Sequence, residues 1–380
     1  MQEGPLKTEL QACAARTAVY RRSSFSIGHR GAPLQFPEHT RESYEAAARM
    51  GAGVLECDVT FTKDKQLVCR HSQNDLHTTT NILATPLAAT CVKPFTPATF
   101  DAAGKLLTPA SAECRTSEIT LAQFKTLRGK MDAANPRAGN VADYLAGTAA
   151  WRTDLYSGTG SGSGNISGSG TLLSHRESID LFKRLGVKMT PELKAAAVPM
   201  PFDGFSQEAY ALKLIDEYVQ AGVSPNDVLP QSFHLVDVLV WLRDAAPFGR
   251  NAVLLDAANN RAALPSADQL KNWKAQGVRT VAPAIFALLE LDAKQRLVPS
   301  RYARDAKAAG LDIITWSLER SAHIGNGNPG FFYQGLAPAL TREGDVLQVL
   351  DVLARQVGVI GVFSDWPATT SFYASCTGLK

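Results

Sequence analysis

The chain has 380 residues, 45% of them hydrophobic and 20% charged, with a formal net charge of +3. This is the composition of a folded protein with enough apolar material for one large domain or two ordinary ones. The small charge excess gives no case for nucleic acid as a partner, no RNP, zinc-finger or basic-region motif is present, and no apolar stretch approaches the roughly 18–20 residues that span a bilayer.

Met1 to Arg22 lacks the apolar core of a signal peptide, which fits either a cytosolic protein or the mature form of an exported one. Ser24–Gly28 reads as a strand and runs into His29-Arg30-Gly31. Thr40 is positioned to cap a helix that reaches Met50 and closes at Gly51. Gly53–Thr60 is the next strand. Further strands are expected at Val187–Leu193, Val228–Ser232, Ala252–Asp256, Thr280–Pro283, Ile313–Ser317 and Val359–Ser364. Helical patterns separate them at Ser178–Leu185, Gln207–Ala221, Leu235–Ala245, Ala267–Gln276, Ser300–Ala309 and Asp345–Arg355. Strict alternation predicts a parallel sheet, and eight strand units predict an α/β fold of the TIM (β/α)8 barrel type. An open doubly wound sheet is the alternative. One domain is expected over residues 24–370.

The rhythm breaks between His71 and the helix near Ser178. A long insertion after the second barrel strand is expected over residues 77–171, with a short helix in Thr120–Leu127. Residues 157–170 are nearly all Gly and Ser, the composition of flexible chain, and Asn165-Ile166-Ser167 fits a glycosylation sequon.

Six cysteines can all be paired. If the turn between the strands around Glu56 and Cys69 is symmetric about Lys63, Cys57 and Cys69 lie opposite each other across a hairpin. Cys91 and Cys114 bracket part of the insertion. Cys13 and Cys376 lie near the two termini, which are often close in space. Three bridges, Cys57–Cys69, Cys91–Cys114 and Cys13–Cys376, fit an oxidising compartment, so a secreted or periplasmic protein is expected.

The chemistry-bearing residues cluster at strand ends, where a barrel builds its active site. Glu56 and Asp58 are two apart on one strand, so both carboxylates face the same way and Cys57 faces the other. Such a pair repels unless protons or a cation neutralise it. Glu192 ends a third strand and completes an oxygen-only set suited to one divalent cation, Ca²⁺ or Mg²⁺. His29 and His71 each follow a strand and are the candidate acid/base pair. Arg30 and Lys194 are candidate phosphate contacts. Gln231 and Trp316 end later strands and suit a substrate hydroxyl and an apolar wall. His39, His77, His175, His234 and His323 read as ordinary core or surface residues, and Asp365-Trp366-Pro367, which closes the last strand, reads equally well as barrel packing.

Taken in order, His29-Arg30-Gly31, Pro37-Glu38-His39-Thr40, Glu56-Cys57-Asp58-Val59, Thr62-Lys63-Asp64, Val68 to His71, Glu192-Leu193-Lys194, Ser232-Phe233, Trp316 and Ser364-Asp365-Trp366-Pro367 resemble the glycerophosphodiester phosphodiesterase family from about Ser24 to Thr370. The resemblance implies a TIM barrel with an inserted segment, and metal-dependent hydrolysis of a small-molecule glycerophosphodiester to glycerol 3-phosphate and an alcohol. It implies His29 and His71 as acid and base, Glu56, Asp58 and Glu192 as metal ligands, and Arg30 and Lys194 as phosphate contacts. Two other readings are a phospholipase D of the sphingomyelinase type acting on lysolipids, and an inert barrel used as a binding module.

Overall fold

Side chains that alternate along eight short strands sort into two cores. The computed structural model describes residues 1–16, 19–152, 170–321 and 323–379. Its main sheet contains β1 Ser23–Gly28, β2 Ala52–Phe61, β3 Lys188–Leu193, β4 Gln231–Ser232, β5 Val253–Leu255, β6 Thr280–Ala282, β7 Asp312–Leu318 and β8 Gly361–Ser364. Each pairs in parallel with the next, and β1 pairs with both β8 and β2, so the sheet closes into a barrel without an open edge. Inside, Ile27, Val54, Val253, Leu255, Ala282, Ile314 and Phe363 pack against one another. The alternate residues, such as Leu55, Cys57, Val59, Leu254 and Val281, face outward into a larger core shared with the helices. That division is the period-two consequence of strands buried on both faces.

Around the barrel lie α1 Arg41–Arg49, α2 His175–Leu185, α3 Gln207–Gln220, α4 Leu235–Asp244, α5 Ala267–Ala275, α6 Arg301–Ala308, α7 Val346–Asp351 and α8 Ala368–Thr377. Five begin at a Ser or Thr whose side-chain oxygen accepts an otherwise orphaned backbone N–H: Thr40, Ser174, Ser206, Ser266 and Ser300. The expected elements agree with these bounds to within a few residues. An additional N-terminal helix, Pro5–Arg16, is tied to α8 by the Cys13–Cys376 disulfide.

β2 runs past the barrel rim and pairs antiparallel with a hairpin strand, Leu67–Cys69. Val59 faces Cys69 and Phe61 faces Leu67. The hairpin is therefore centred on Asp64 and not on Lys63, and Cys57 lies diagonal to Cys69. The bond forms all the same, at a Cα–Cα separation of 5.3 Å, inside the range a disulfide spans.

The segment between this hairpin and α2, where the strand–helix rhythm breaks, is built of short elements. Short antiparallel pairs join Lys93–Thr96 to Ser111–Glu113, Thr99–Phe100 to Leu106–Thr108, and Arg128–Gly129 to Gly170–Thr171. A separate small core gathers Leu76, Ile82, Leu83, Ile119, Phe124, Leu127 and Leu172 around the Cys91–Cys114 bridge. The expected short helix is Leu121–Phe124, with Thr120 and Gln123 forming a reciprocal capping box. Most of the Gly/Ser run, residues 157–169, and the sequon Asn165-Ile166-Ser167 lie outside the described residues.

Candidate active site

The side chains expected to carry chemistry meet at the C-terminal mouth of the barrel. Glu56 and Asp58 lie on β2, and the parallel register sets Asp58 directly beside Glu192 on β3. One carboxylate oxygen from each of Glu56, Asp58 and Glu192 falls within 4.8 Å of the others, and all three residues are buried. Asp58 Oδ1 is buried without a hydrogen-bond partner among the described residues. A three-carboxylate, oxygen-only set with an unsatisfied buried oxygen fits a hard divalent cation.

A cavity of about 60 Å³ opens beside this cluster, lined by His29, Arg30, Glu56, His71, Glu192, Lys194, Phe233, Leu255, Trp316 and Phe363. His29 Nε2 is 3.8 Å from Glu56 Oε2, while His29 Nδ1 is 2.5 Å from Asp365 Oδ1. The Arg30 backbone N–H donates to Glu56 Oε2 at 3.1 Å. Lys194 Nζ donates to Glu192 Oε1 at 2.5 Å. His71 follows the hairpin strand, and its ring has no hydrogen-bond partner among the described residues. Trp316 donates its indole N–H to the Ala282 carbonyl at 2.8 Å and meets the Phe233 ring edge-on. Gln231 opens β4, in register with Glu192 on β3. It is fully buried, donates to Glu56 Oε1 at 2.8 Å and does not line the cavity.

Proximity and burial set the electrostatics. Burial, together with the neighbouring Asp58 and Glu192, pushes Glu56 well above the usual carboxylate range. Burial pushes Glu192 up to about 7 against the pull of Lys194. The same burial acts on Asp58 but is outweighed by Lys194, His39 and Arg30, which hold it well below the ordinary range. Three carboxylates so close resist full ionisation until more positive charge arrives. Burial lowers His29 to about 4 against the pull of Asp365, and burial with Arg30 and Lys194 holds His71 well below the ordinary imidazole range.

Five further residues belong to this neighbourhood. His39, expected to be an ordinary core residue, is fully buried with Nε2 2.8 Å from Asp58 Oδ2 and Nδ1 2.8 Å from the Tyr44 hydroxyl. Glu38 accepts from Arg30 at 2.8 Å and from Arg320 at 3.1 Å. Arg320 also donates to Asp365 Oδ2 at 2.9 Å. Arg152, from the insertion, donates to the same oxygen at 3.2 Å. For Asp365 the sequence carried a signal, its place just past the last strand. Glu38 carried one too, its place in the Pro37-Glu38-His39-Thr40 motif, whereas Arg152 and Arg320 carried none.

The comparison that decides the family comes from the sequence itself. Residues 29–369 match the glycerophosphoryl diester phosphodiesterase family. The chain belongs to this family. It is 47% identical over 254 residues, 66% of this chain and the whole of the relative, to a protein of Arthroderma benhamiae named "Extracellular protein". In fold the glycerophosphoryl diester phosphodiesterase barrel seen here is similar to a Silicibacter pomeroyi structure named for the same activity, with a TM-score of 0.59 and 17% identity over 98% of this chain and 99% of that one. An Oleispira antarctica phosphodiesterase, determined with the product sn-glycerol-3-phosphate, has a TM-score of 0.52 at 17% identity over 93% of this chain and 96% of its own.

Three departures from the family's motif pattern have local explanations. His39 stands where an Asn is usual and has a φ of +56°, a left-handed conformation that Asn and His both adopt more readily than most residues. Lys65 stands where a glycine is usual in the hairpin turn and has a φ of +59°. Ser72, in place of an Asp after the second histidine, donates its hydroxyl to Asn74 at 2.6 Å, and its backbone N–H goes to Asp75.

Proposed function

We propose that this phosphodiesterase hydrolyses glycerophosphodiesters to glycerol 3-phosphate and an alcohol. The observation that carries the reading is that two imidazoles, two basic side chains, Glu56 and Glu192 line one small cavity, with a carboxylate oxygen of Asp58 within 4.8 Å of those of both acids. Glu56, Asp58 and Glu192 would hold one divalent cation, Ca²⁺ or Mg²⁺. When bound, it supplies positive charge opposite the phosphoryl oxygens. Gln231 orients Glu56 by its hydrogen bond, and His39 orients Asp58. Arg30 and Lys194 contact the remaining phosphate oxygens through charge-assisted hydrogen bonds. Trp316 with Phe233 bounds the cavity with apolar surface and limits where the substrate lies.

His29 and His71 carry the proton transfers. Asp365 on His29 Nδ1 fixes the ring so that Nε2 faces the cavity, and it stabilises the ring when charged. The His71 ring, with no hydrogen-bond partner among the described residues, faces the cavity where the substrate would lie. Between them the two rings take the proton from the attacking oxygen and return one to the departing alkoxide. No histidine or metal-binding acid of the family pattern is missing, which speaks against an inert barrel. Three disulfides and a relative named for an extracellular location support a secreted enzyme.

The test is turnover of glycerophosphocholine beside lysophosphatidylcholine, with and without added divalent cation, products being resolved by phosphorus NMR. Glycerol 3-phosphate from the first substrate, dependent on cation, is expected. Release of choline from lysophosphatidylcholine alone would replace this reading with the phospholipase one.

A further inference from the structure

The insertion reaches the barrel mouth through Arg152. This side chain is 1% exposed and lies between the loop after β1 and the end of β8. Its guanidinium donates to the Pro33 carbonyl and to Asp365 Oδ2. Its Nε lies 2.8 Å from the carboxylate of Asp132, which also belongs to the insertion. The other oxygen of Asp365 is the one on His29 Nδ1. One residue of the insertion therefore touches both the loop that follows β1 and the carboxylate that orients the first histidine.

Asp365 needs two points of support. A carboxylate held only through one oxygen turns about its Cβ–Cγ bond, and the imidazole it holds turns with it. Its second oxygen receives two guanidinium groups. Arg320 is shared three ways: it also donates to Glu38 at 3.1 Å and lies 3.7 Å from Asp132. Arg152 has the backbone carbonyl of Pro33 as an anchor independent of those charges. Next to Pro33, the Leu34 N–H donates to the Asp365 carbonyl at 3.1 Å, so both backbone and side chain of Asp365 are fixed against the same loop. A planar fork makes these contacts simultaneously, which a lysine reproduces only in charge.

We propose that Arg152 is a positioning residue for the His29–Asp365 pair, so that the insertion supplies one of the groups aligning the barrel's acid/base machinery. The inference rests on the functional reading above.

The experiment compares full-length wild type with Arg152→Met, Arg152→Lys and Asp132→Asn. It measures kcat and KM on glycerophosphocholine at saturating divalent cation, the thermal midpoint, and the ring ¹⁵N resonances of His29 without substrate, assigned with His29→Gln. A misplacement of about 1 Å costs on the order of 10²-fold, so Arg152→Met is expected to lose roughly 10- to 100-fold in kcat with KM within about threefold. The His29 resonances move, and Arg152→Lys recovers part of kcat. Wild-type kcat with unmoved His29 resonances in Arg152→Met overturns the proposal. So does a kcat loss that follows the thermal midpoint while His29 stays unmoved. Should Arg152→Met fail to fold, Asp132→Asn probes the same contact: a several-fold fall in kcat at constant KM supports the proposal by the same alignment argument, and unchanged kcat and resonances overturn it. A wild type inert on every glycerophosphodiester defeats the functional reading instead, and the His29 resonances still decide the positioning role.

Discussion

The barrel and the segment between its hairpin and α2 are stabilised by different means. Barrel strands form a closed ladder with an apolar layer on each side, and α1 to α8 each cover part of its outer surface. The insertion has antiparallel pairs of two to four residues, several short helical turns, a small core and one disulfide of its own. A closed ladder distributes its stability over many contacts, so no single bond is decisive. A patchwork of short elements leans on individual caps and cross-links. Chemistry follows the first region: both candidate histidines and all three acids sit on or just past strands of the main sheet.

That contrast can be tested by how far each perturbation spreads. Cation removal has the largest expected effect: a chelator abolishes turnover and added Ca²⁺ or Mg²⁺ restores it, while the thermal transition of the barrel persists. Next, His29→Ala and His71→Ala each lose about 10²–10⁴-fold in kcat, the usual worth of a proton-transfer group. Steady-state kinetics beside circular dichroism checks that the loss comes without unfolding. Removing the Cys91–Cys114 bridge by a double alanine replacement costs about 3 kcal/mol, the entropy of a loop of this size. Proteolysis is expected to cut residues 77–150 before barrel unfolding, and cleavage only at the global transition would show that the two regions unfold together. Thr120→Ala removes a capping box and costs about 1 kcal/mol, visible as faster amide exchange in Leu121–Phe124 and not in the barrel.

The last test concerns pH dependence. Burial lowers His77 to about 4, its ring accepting from the Cys114 N–H. The folded state disfavours the charged ring, so the unfolded chain binds the extra proton first. Its contribution to stability is complete above pH 6.5 and is lost as pH falls from there to about 4. Amide exchange of the insertion should accelerate across that window in wild type and not in His77→Gln.

What the sequence reveals differs between the regions for the same physical reason. Barrel strands are short runs rich in apolar residues set between helical patterns, so β1 through β8 are readable one by one, and Thr40 marks the start of α1. Elements such as Thr99–Phe100 or Arg128–Gly129 are too short to carry a period, and only the Thr120–Gln123 box announces itself. In the site, residues that face the cavity from a strand end were readable by alternation. His39 was not, because its role depends on a left-handed turn that swings its ring onto Asp58. Gln231 was read as a strand-end residue, and its hydrogen bond to Glu56 was not, since no local pattern shows which side chain of another strand it meets. Arg152 depends on where the insertion lands, which no local pattern encodes.

The Cys57–Cys69 bond has a consequence for how the site tolerates chemical change. Cys57 is flanked by two of the acids, and Cys69 is two residues before His71. The bond is therefore a short strut behind the candidate site, joining the strand that presents Glu56 and Asp58 to the strand that leads to His71. Its loop spans 12 residues, so cutting it costs roughly 3 kcal/mol of chain entropy, close to the cost of losing the Cys91–Cys114 bridge. Its leverage is large, because any slack between the two strands appears directly as a change in the gap between His71 and the acids. Reduction of this bond would thus be felt in turnover as well as in stability.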